Sequence, residues 1–237
     1  MGFETNEKSG AHDLVTSADI EGERIIVESI REEYPDHNIL AEEADYESTD
    51  SEYTWIIDPL DGTNNFAHGL PVWCVSIACA HQGKVICGVV YDPERDELFE
   101  AQRGGGARLN GRTISVSTRD ELAHSMLVTG FFYDRGEAMR RNLDTIERFF
   151  SNGIVGLRRF GSAALDLCMV ASGRTDGFWE FELKPWDYAA GALIVQEAGG
   201  KTSDAEGKPL NDPFQKSFMV AANPALHPRM LEVIVPS

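Results

Sequence analysis

The chain has 237 residues, 42% of them hydrophobic and 25% charged, which suits a folded protein with a sizeable core and excludes a disordered or fibrous one. Its 39 acidic residues face only 21 basic ones, a formal charge of -18 that repels nucleic-acid phosphates and anionic lipid, so neither nucleic acid nor membrane is expected as a partner. No apolar run approaches the roughly eighteen residues of a membrane helix, and MGFETNEKSG lacks a signal-peptide pattern, so a soluble, cytoplasmic protein is expected.

Lys supplies only 6 of the basic residues and Arg 15, and excess acid with scarce Lys is the composition expected of a halophilic source, an acidic mesophilic protein being the plainer alternative. Cys74, Cys79, Cys87 and Cys168 sit in apolar stretches without a CxxC pair, which predicts buried, reduced thiols rather than a zinc site, a Cys74–Cys87 disulfide being the alternative that an intracellular setting disfavours. The six histidines are scattered and carry no zinc-ligand spacing.

In chain order, Ile20, Ile25, Ile26 and Ile30 predict an amphipathic helix from Ser17 to Tyr34, stopped by Pro35. From Tyr53 the texture is β: TWIID, VWCVSIACA, KVICGVVYD and ELFEAQ, with HQG and DPERD as turns between strands. GGGARLNGR reads as irregular, with a tight turn before a strand TISVS. The second half alternates: strand Met126 to Thr129, helix Glu137 to Phe150, strand Ile154 to Arg159, helix Ser162 to Ser172. Strand Asp176 to Phe181, helix Trp186 to Glu197 and strand Ser217 to Ala222 follow. This predicts one domain over residues 1–237, with an N-terminal α+β lobe to about 125 and a C-terminal α/β lobe from about 126.

WIIDPLDGTNNF is the most informative stretch. A buried strand delivers Asp58, and a proline-marked turn delivers Asp61 three residues later. An isolated charge at the end of a core strand is costly unless a cation or strong donors meet it. A hard ion such as Mg²⁺ suits Asp58, Asp61 and the carbonyl of Leu60, and Gly62-Thr63 offers backbone amides to an anion. The plainer alternative is an Asx-turn of ordinary loop chemistry. AEEAD supplies Glu42 and Glu43 at another strand end, or merely a solvated acidic loop. Asp187 begins an Ala-rich helix and reads as its N-cap or as a further ligand. In DLVTSAD, Asp13, Thr16 and Asp19 read equally as a helix-capping sequence or as part of the site.

Together these blocks resemble the inositol monophosphatase family of Mg-dependent, lithium-sensitive phosphatases, which includes archaeal-type fructose-1,6-bisphosphatases. WIIDPLDGTNNF is similar to its first signature, WDYAAGALIVQEAGG to its second, and AEE and DLVTSAD to two further blocks. The resemblance implies an α+β fold, a layered α-β-α-β-α sandwich, usually as a homodimer. It implies two or three Mg²⁺ ions: one at Glu42, Asp58 and the Leu60 carbonyl, one at Asp58, Asp61 and Asp187, and a looser third on Glu42. Thr63, partnered by Asp19, would orient an activated water for attack on phosphorus. Asp61, Gly62, Thr63, Gly161, Ser162, Ala163, Glu180 and Asp187 would contact phosphate or substrate hydroxyls.

Three departures from the family pattern mark where the transfer is weakest. Only seven residues precede Lys8, where the family has a leading helix, so either that helix is absent or the chain start is truncated, and Lys8 itself matches a mobile-loop lysine near the third metal. Ala41 stands where the family usually has Gly, and Phe131-Phe132 and Tyr133 fall in a region that varies with substrate. The expected substrate is a small phosphorylated polyol or sugar, with inositol-1-phosphate first. Fructose 1,6-bisphosphate, histidinol phosphate and 3'-phosphoadenosine 5'-phosphate are the alternatives. A metal-binding regulatory protein without turnover is the non-enzyme reading. A calcium-stabilised structural protein would show a DxDxDG loop, which is absent.

Overall fold

The structure, a computed structural model, describes residues 5–10, 13–131 and 136–235. The expectations at Phe132, Tyr133 and the side chains of Lys8 and Asp13 lie outside the described residues.

A hairpin of β1 (Thr5–Gly10) and β2 (Asp13–Thr16) leads into α1 (Ser17–Glu33). A seven-stranded sheet follows, built from β3 (Asn38–Ala41), β4 (Tyr53–Asp61), β5 (Cys74–His81), β6 (Lys84–Asp92), β7 (Glu97–Gln102), β8 (Gly106–Leu109) and β9 (Arg112–Thr113). Its strands lie in chain order, with β3 and β4 parallel and every later pair antiparallel. The short helix α2 (Thr63–Ala67) sits between β4 and β5.

The second half supplies β10 (Met126–Thr129), α3 (Glu137–Ser151), β11 (Gly156–Arg158), α4 (Ala163–Ala171), β12 (Gly177–Leu183) and α5 (Pro185–Glu197). It ends with β13 (Lys201–Ser203), β14 (Ser217–Ala222) and α6 (Leu226–Ile234). Its five strands order as β11-β10-β12-β14-β13. The pairs β10–β11 and β10–β12 are parallel and those to β14 antiparallel.

Period-two alternation builds the layers. On β4, Ile56 joins the cluster between the sheets while Ile57 joins the one under α1. On the small sheet, Val128, Phe178 and Met219 face inward, and Leu127, Trp179 and Val220 face the outer cluster shared with Phe149, Leu226 and Met230. The result is five layers: α1, the large sheet, α4 with α5, the small sheet, and α3 with α6. Helices α4 and α5 are buried almost all round, because a sheet covers each side. Each fully buried residue such as Leu165 or Ile194 contributes about 1.5–3 kcal/mol of transfer free energy. The two helices approach closely at Gly191, where a Cβ would stand 2.8 Å from the Leu167 side chain.

Three sequence expectations are corrected. TISVS is not a strand: the ladder ends at Arg112–Thr113, and Val116 N–H instead donates to the Ala198 carbonyl. GARL, read as irregular, is β8, with Asn110 and Gly111 both at positive φ making the turn to β9. Pro59 does not end a strand: β4 continues through it to Asp61 by way of a bulge.

Candidate active site

That bulge creates the site. Three residues apart on a regular strand, Asp58 and Asp61 would point to opposite faces. Here Asp58 pairs with Ser76 and Asp61 with Cys74, so Pro59 and Leu60 together oppose the single residue Val75. The extra residue turns Asp61 to the same inner face as Asp58. Proline fits this position because it has no N–H to donate to the ladder.

Both carboxylates open into a cavity of about 390 Å³. Glu42, Asp58, Leu60, Asp61, Gly62, Thr63 and Asp187 line it, together with Gly161, Ser162, Ala163 and Glu180. Every expected site residue is therefore gathered around one space except Asp19, which stands behind Thr63. Asp19 Oδ1 lies 3.0 Å from Thr63 Oγ, which also lies 3.1 Å from the Leu60 carbonyl. The other Asp19 oxygen accepts the Thr16 N–H, so the capping reading of DLVTSAD holds, and the same carboxylate also reaches Thr63.

The remaining side chains are fixed by local donors. Asp61 Oδ2 accepts from the Ser162 hydroxyl at 2.7 Å and the Ala164 N–H at 2.7 Å. Ser162, expected against substrate, thus spends its hydroxyl proton on Asp61. Asp187 is not the N-cap of α5. That position is Lys184, and Asp187, in the first turn, accepts the Lys184 N–H at 2.7 Å. Gly62, at φ 101°, opens α2, and a Cβ there would meet the Val72 carbonyl oxygen at 2.9 Å. Gly130 leaves room for the Glu180 carboxylate, which occupies the space its Cβ would fill.

Burial raises the pKa of Asp58 well above the usual carboxylate range, and the charges of Glu42, Asp61 and Asp187 add to the shift. Burial does the same to Asp187, with Asp61 and Glu42 contributing. For Asp61, hydrogen bonds from Ser162 and Ala164 oppose burial and leave it at about 6. Glu180 rises to about 8, again chiefly by burial.

Sequence reasoning missed several contributors. Asp166, Glu182, Arg159, Lys184 and Lys216 also line the cavity. Asp166 is 1% exposed, and its Oδ1 has no hydrogen-bond partner. A lone carboxylate inside the apolar run AALDLCMVA was the available signal. Glu23, buried on α1, accepts the Glu43 N–H and the Tyr46 hydroxyl, fixing the segment that carries Glu42.

The cavity presents seven carboxylates against three cationic side chains, an imbalance that repels an anionic ligand unless cations join it. As the side chains stand, no three His, Cys, Asp or Glu residues among the described ones are gathered tightly enough to grip an ion. Asp58, Asp61 and Asp187 have each turned one oxygen toward a protein donor. A carboxylate bonded at one oxygen keeps the other for a cation, and with the Leu60 carbonyl the donors are all hard oxygens, so the residues fit a divalent ion such as Mg²⁺.

The model of the inositol monophosphatase family matches residues 1–237. An inositol-1-monophosphatase of Synechocystis is 47% identical over 229 residues, covering 96% of this chain and 79% of its own. A Nus factor SuhB of Pseudomonas aeruginosa is 45% identical over 237 residues, covering 98% and 86%. The crystal structure of the extragenic suppressor protein suhB from Bartonella henselae superimposes with TM-score 0.93 at 42% identity, covering 99% of this chain and 89% of its own. An IMPase/NADP phosphatase complexed with Mg²⁺ and phosphate does so with TM-score 0.89 at 28% identity, covering 99% and 87%. With its whole length matched by the family model, this chain belongs to the inositol monophosphatase family.

Proposed function

We propose that the protein hydrolyses a small phosphate monoester with Mg²⁺, inositol-1-phosphate being the first candidate. The observation that carries this reading is that the bulge turns Asp58 and Asp61 into one acidic cavity that Glu42 and Asp187 also line. An anionic ester can enter there only alongside cations, and these carboxylates with the Leu60 carbonyl would hold them. Bound there, the divalent ions supply positive charge that polarises the phosphoryl oxygens and acidifies the attacking water.

The chain's own residues do the positioning. Asp19 accepts the Thr63 hydroxyl proton, which leaves a Thr63 lone pair to receive a hydrogen from that water and aim it in line with the leaving oxygen. Glu42, which also lines the cavity, would accept the water's proton. Backbone amides at Gly62 and Thr63 face the phosphate oxygens. Ser162 and Ala164 clamp Asp61 in a single orientation, and Glu180, backed by Gly130, accepts hydrogen bonds from substrate hydroxyls. A cavity of about 390 Å³ suits one sugar-sized or inositol-sized ester.

The name Nus factor borne by the Pseudomonas relative motivates a second reading, in which the chain binds a macromolecular partner. The expectation that nucleic acid is no partner rests on net charge alone. Phosphate release from inositol-1-phosphate, fructose 1,6-bisphosphate, histidinol phosphate and 3'-phosphoadenosine 5'-phosphate separates these readings. Preference for inositol-1-phosphate supports the proposal, and preference for another ester reassigns the substrate. No release from any ester by folded protein supplied with Mg²⁺ favours the partner-binding reading.

A further inference from the structure

A second pair of reactive groups lies on the large sheet, away from the acidic cavity. Cys79 on β5 and Cys87 on β6 are direct partners in the antiparallel register. Residues opposed in this way have Cα atoms about 4.5–5.5 Å apart, inside the span of about 4.4–6.8 Å that a disulfide bridges. Cys79 also pairs with Trp55 on β4, one strand residue before Ile56, so both thiols lie on the α1 side of the sheet.

The two thiols differ in access and in charge. Cys87 is partly exposed, whereas Cys79 is 4% exposed. The neighbouring Cys79 sulfur draws the Cys87 thiol down to about 7, the Cys79 thiol being pushed up in turn, and the hydrogen bond that the Cys79 thiol itself donates goes to the Ala80 carbonyl, 3.9 Å away. A partly exposed sulfur directly opposite a buried one on the neighbouring strand is the arrangement of an attacking and a resolving cysteine. Cys74 and Cys168 are both fully buried, and burial pushes their thiols well above the ordinary value, so they serve as internal controls.

We propose that Cys79 and Cys87 form a two-thiol oxidation site, separate from the phosphate cavity, that reacts with small hydroperoxides and closes to a disulfide. The Cys87 thiolate attacks one peroxide oxygen: an S–O bond forms, the O–O bond breaks and hydroxide leaves. Sulfur is oxidised by two electrons and the peroxide reduced by two. Cys79 sulfur then displaces the hydroxyl of the Cys87 sulfenic acid, giving up its own proton, so that an S–S bond forms and water leaves. Two thiols and one hydrogen peroxide thus become one disulfide and two waters, and an added thiol reductant reverses the change.

The test uses the full chain, reduced, desalted, treated with hydrogen peroxide, quenched with catalase and then denatured. Two of the four thiols should be lost, with a mass decrease of two hydrogens. Trypsin cuts after Lys84, between the two cysteines, so the peptides on either side should be joined until reductant is added. Cys87 should be consumed at least about tenfold faster than Cys74 or Cys168. Cys79→Ala should leave a dimedone-reactive sulfenic acid at Cys87 and no joined peptide. If that variant fails to fold, the wild-type peptide map and thiol rates decide alone. The proposal is overturned if all four thiols survive peroxide that oxidises glutathione in the same solution, if the four react equally, or if the only linkage joins other cysteines.

Discussion

The Asp19 carboxylate reaches across 44 residues of sequence to the Thr63 hydroxyl, 3.0 Å away, while its second oxygen accepts the Thr16 N–H at 2.9 Å. One side chain therefore starts α1 and sets the orientation of the proposed water-positioning threonine. Thr16→Ala removes only the capping partner. It should lower stability by about 1 kcal/mol and leave turnover within a factor of a few. Asp19→Asn should in addition reduce kcat, and steady-state kinetics beside thermal melts separate the two effects.

Thr63→Ala should reduce kcat by about 10²–10⁴-fold with a much smaller change in KM, because the hydroxyl acts on the attacking water rather than on bound substrate. Thr63→Ser retains the hydroxyl and should recover a large part of the loss. Equal kcat in wild type and Thr63→Ala removes this residue from the mechanism.

Asn142 supports the substrate wall from behind. Its side-chain oxygen accepts the Trp179 indole N–H at 2.9 Å, and its NH₂ donates to the Gly130 carbonyl at 2.8 Å. Asn142→Leu leaves the Trp179 indole N–H buried without a partner and takes one of two donors from the Gly130 carbonyl, and should cost about 1–3 kcal/mol in a denaturant titration. Because Gly130 makes room for Glu180, Gly130→Ala should raise KM for polyol phosphates more than it lowers kcat.

Without metal, the acidic cavity should make stability fall as pH rises. Asp61 stands at about 6 in the folded protein against an ordinary 3.8, and Glu180 at about 8 against 4.5. Groups whose folded pKa is raised contribute stability that is complete below their unfolded values and is lost as pH climbs through the folded ones. In chelator, Tm should therefore drop between about pH 5 and pH 8, and added Mg²⁺ should restore more of it at the upper end. A Tm in chelator that rises over that interval contradicts this.

Much of the site was legible because its chemistry is local. The apolar run before Asp58, the Gly62-Thr63 step and the Trp186-Asp187 start of an Ala-rich helix each announce themselves within a few residues. What brings Asp58 and Asp61 to one face was not legible, since a bulge is a property of register with β5 rather than of β4 alone. The same limit hid the pairing of Cys79 with Cys87. Helix α6 escaped notice because it is short and carries Pro228, and β13 because three residues show no periodicity. Arg159, Lys184 and Lys216 resembled surface charges, and only the fold turns them toward the cavity.

Phosphate release from inositol-1-phosphate, by wild type and by Asp61→Asn, with Mg²⁺ and again with chelator, tests the central claim most directly. The wild type should release phosphate only with Mg²⁺, and Asp61→Asn should lose more than about 100-fold while keeping its fold. Release that persists in chelator, or an Asp61→Asn variant as active as wild type, would contradict a metal-dependent phosphatase built on these carboxylates.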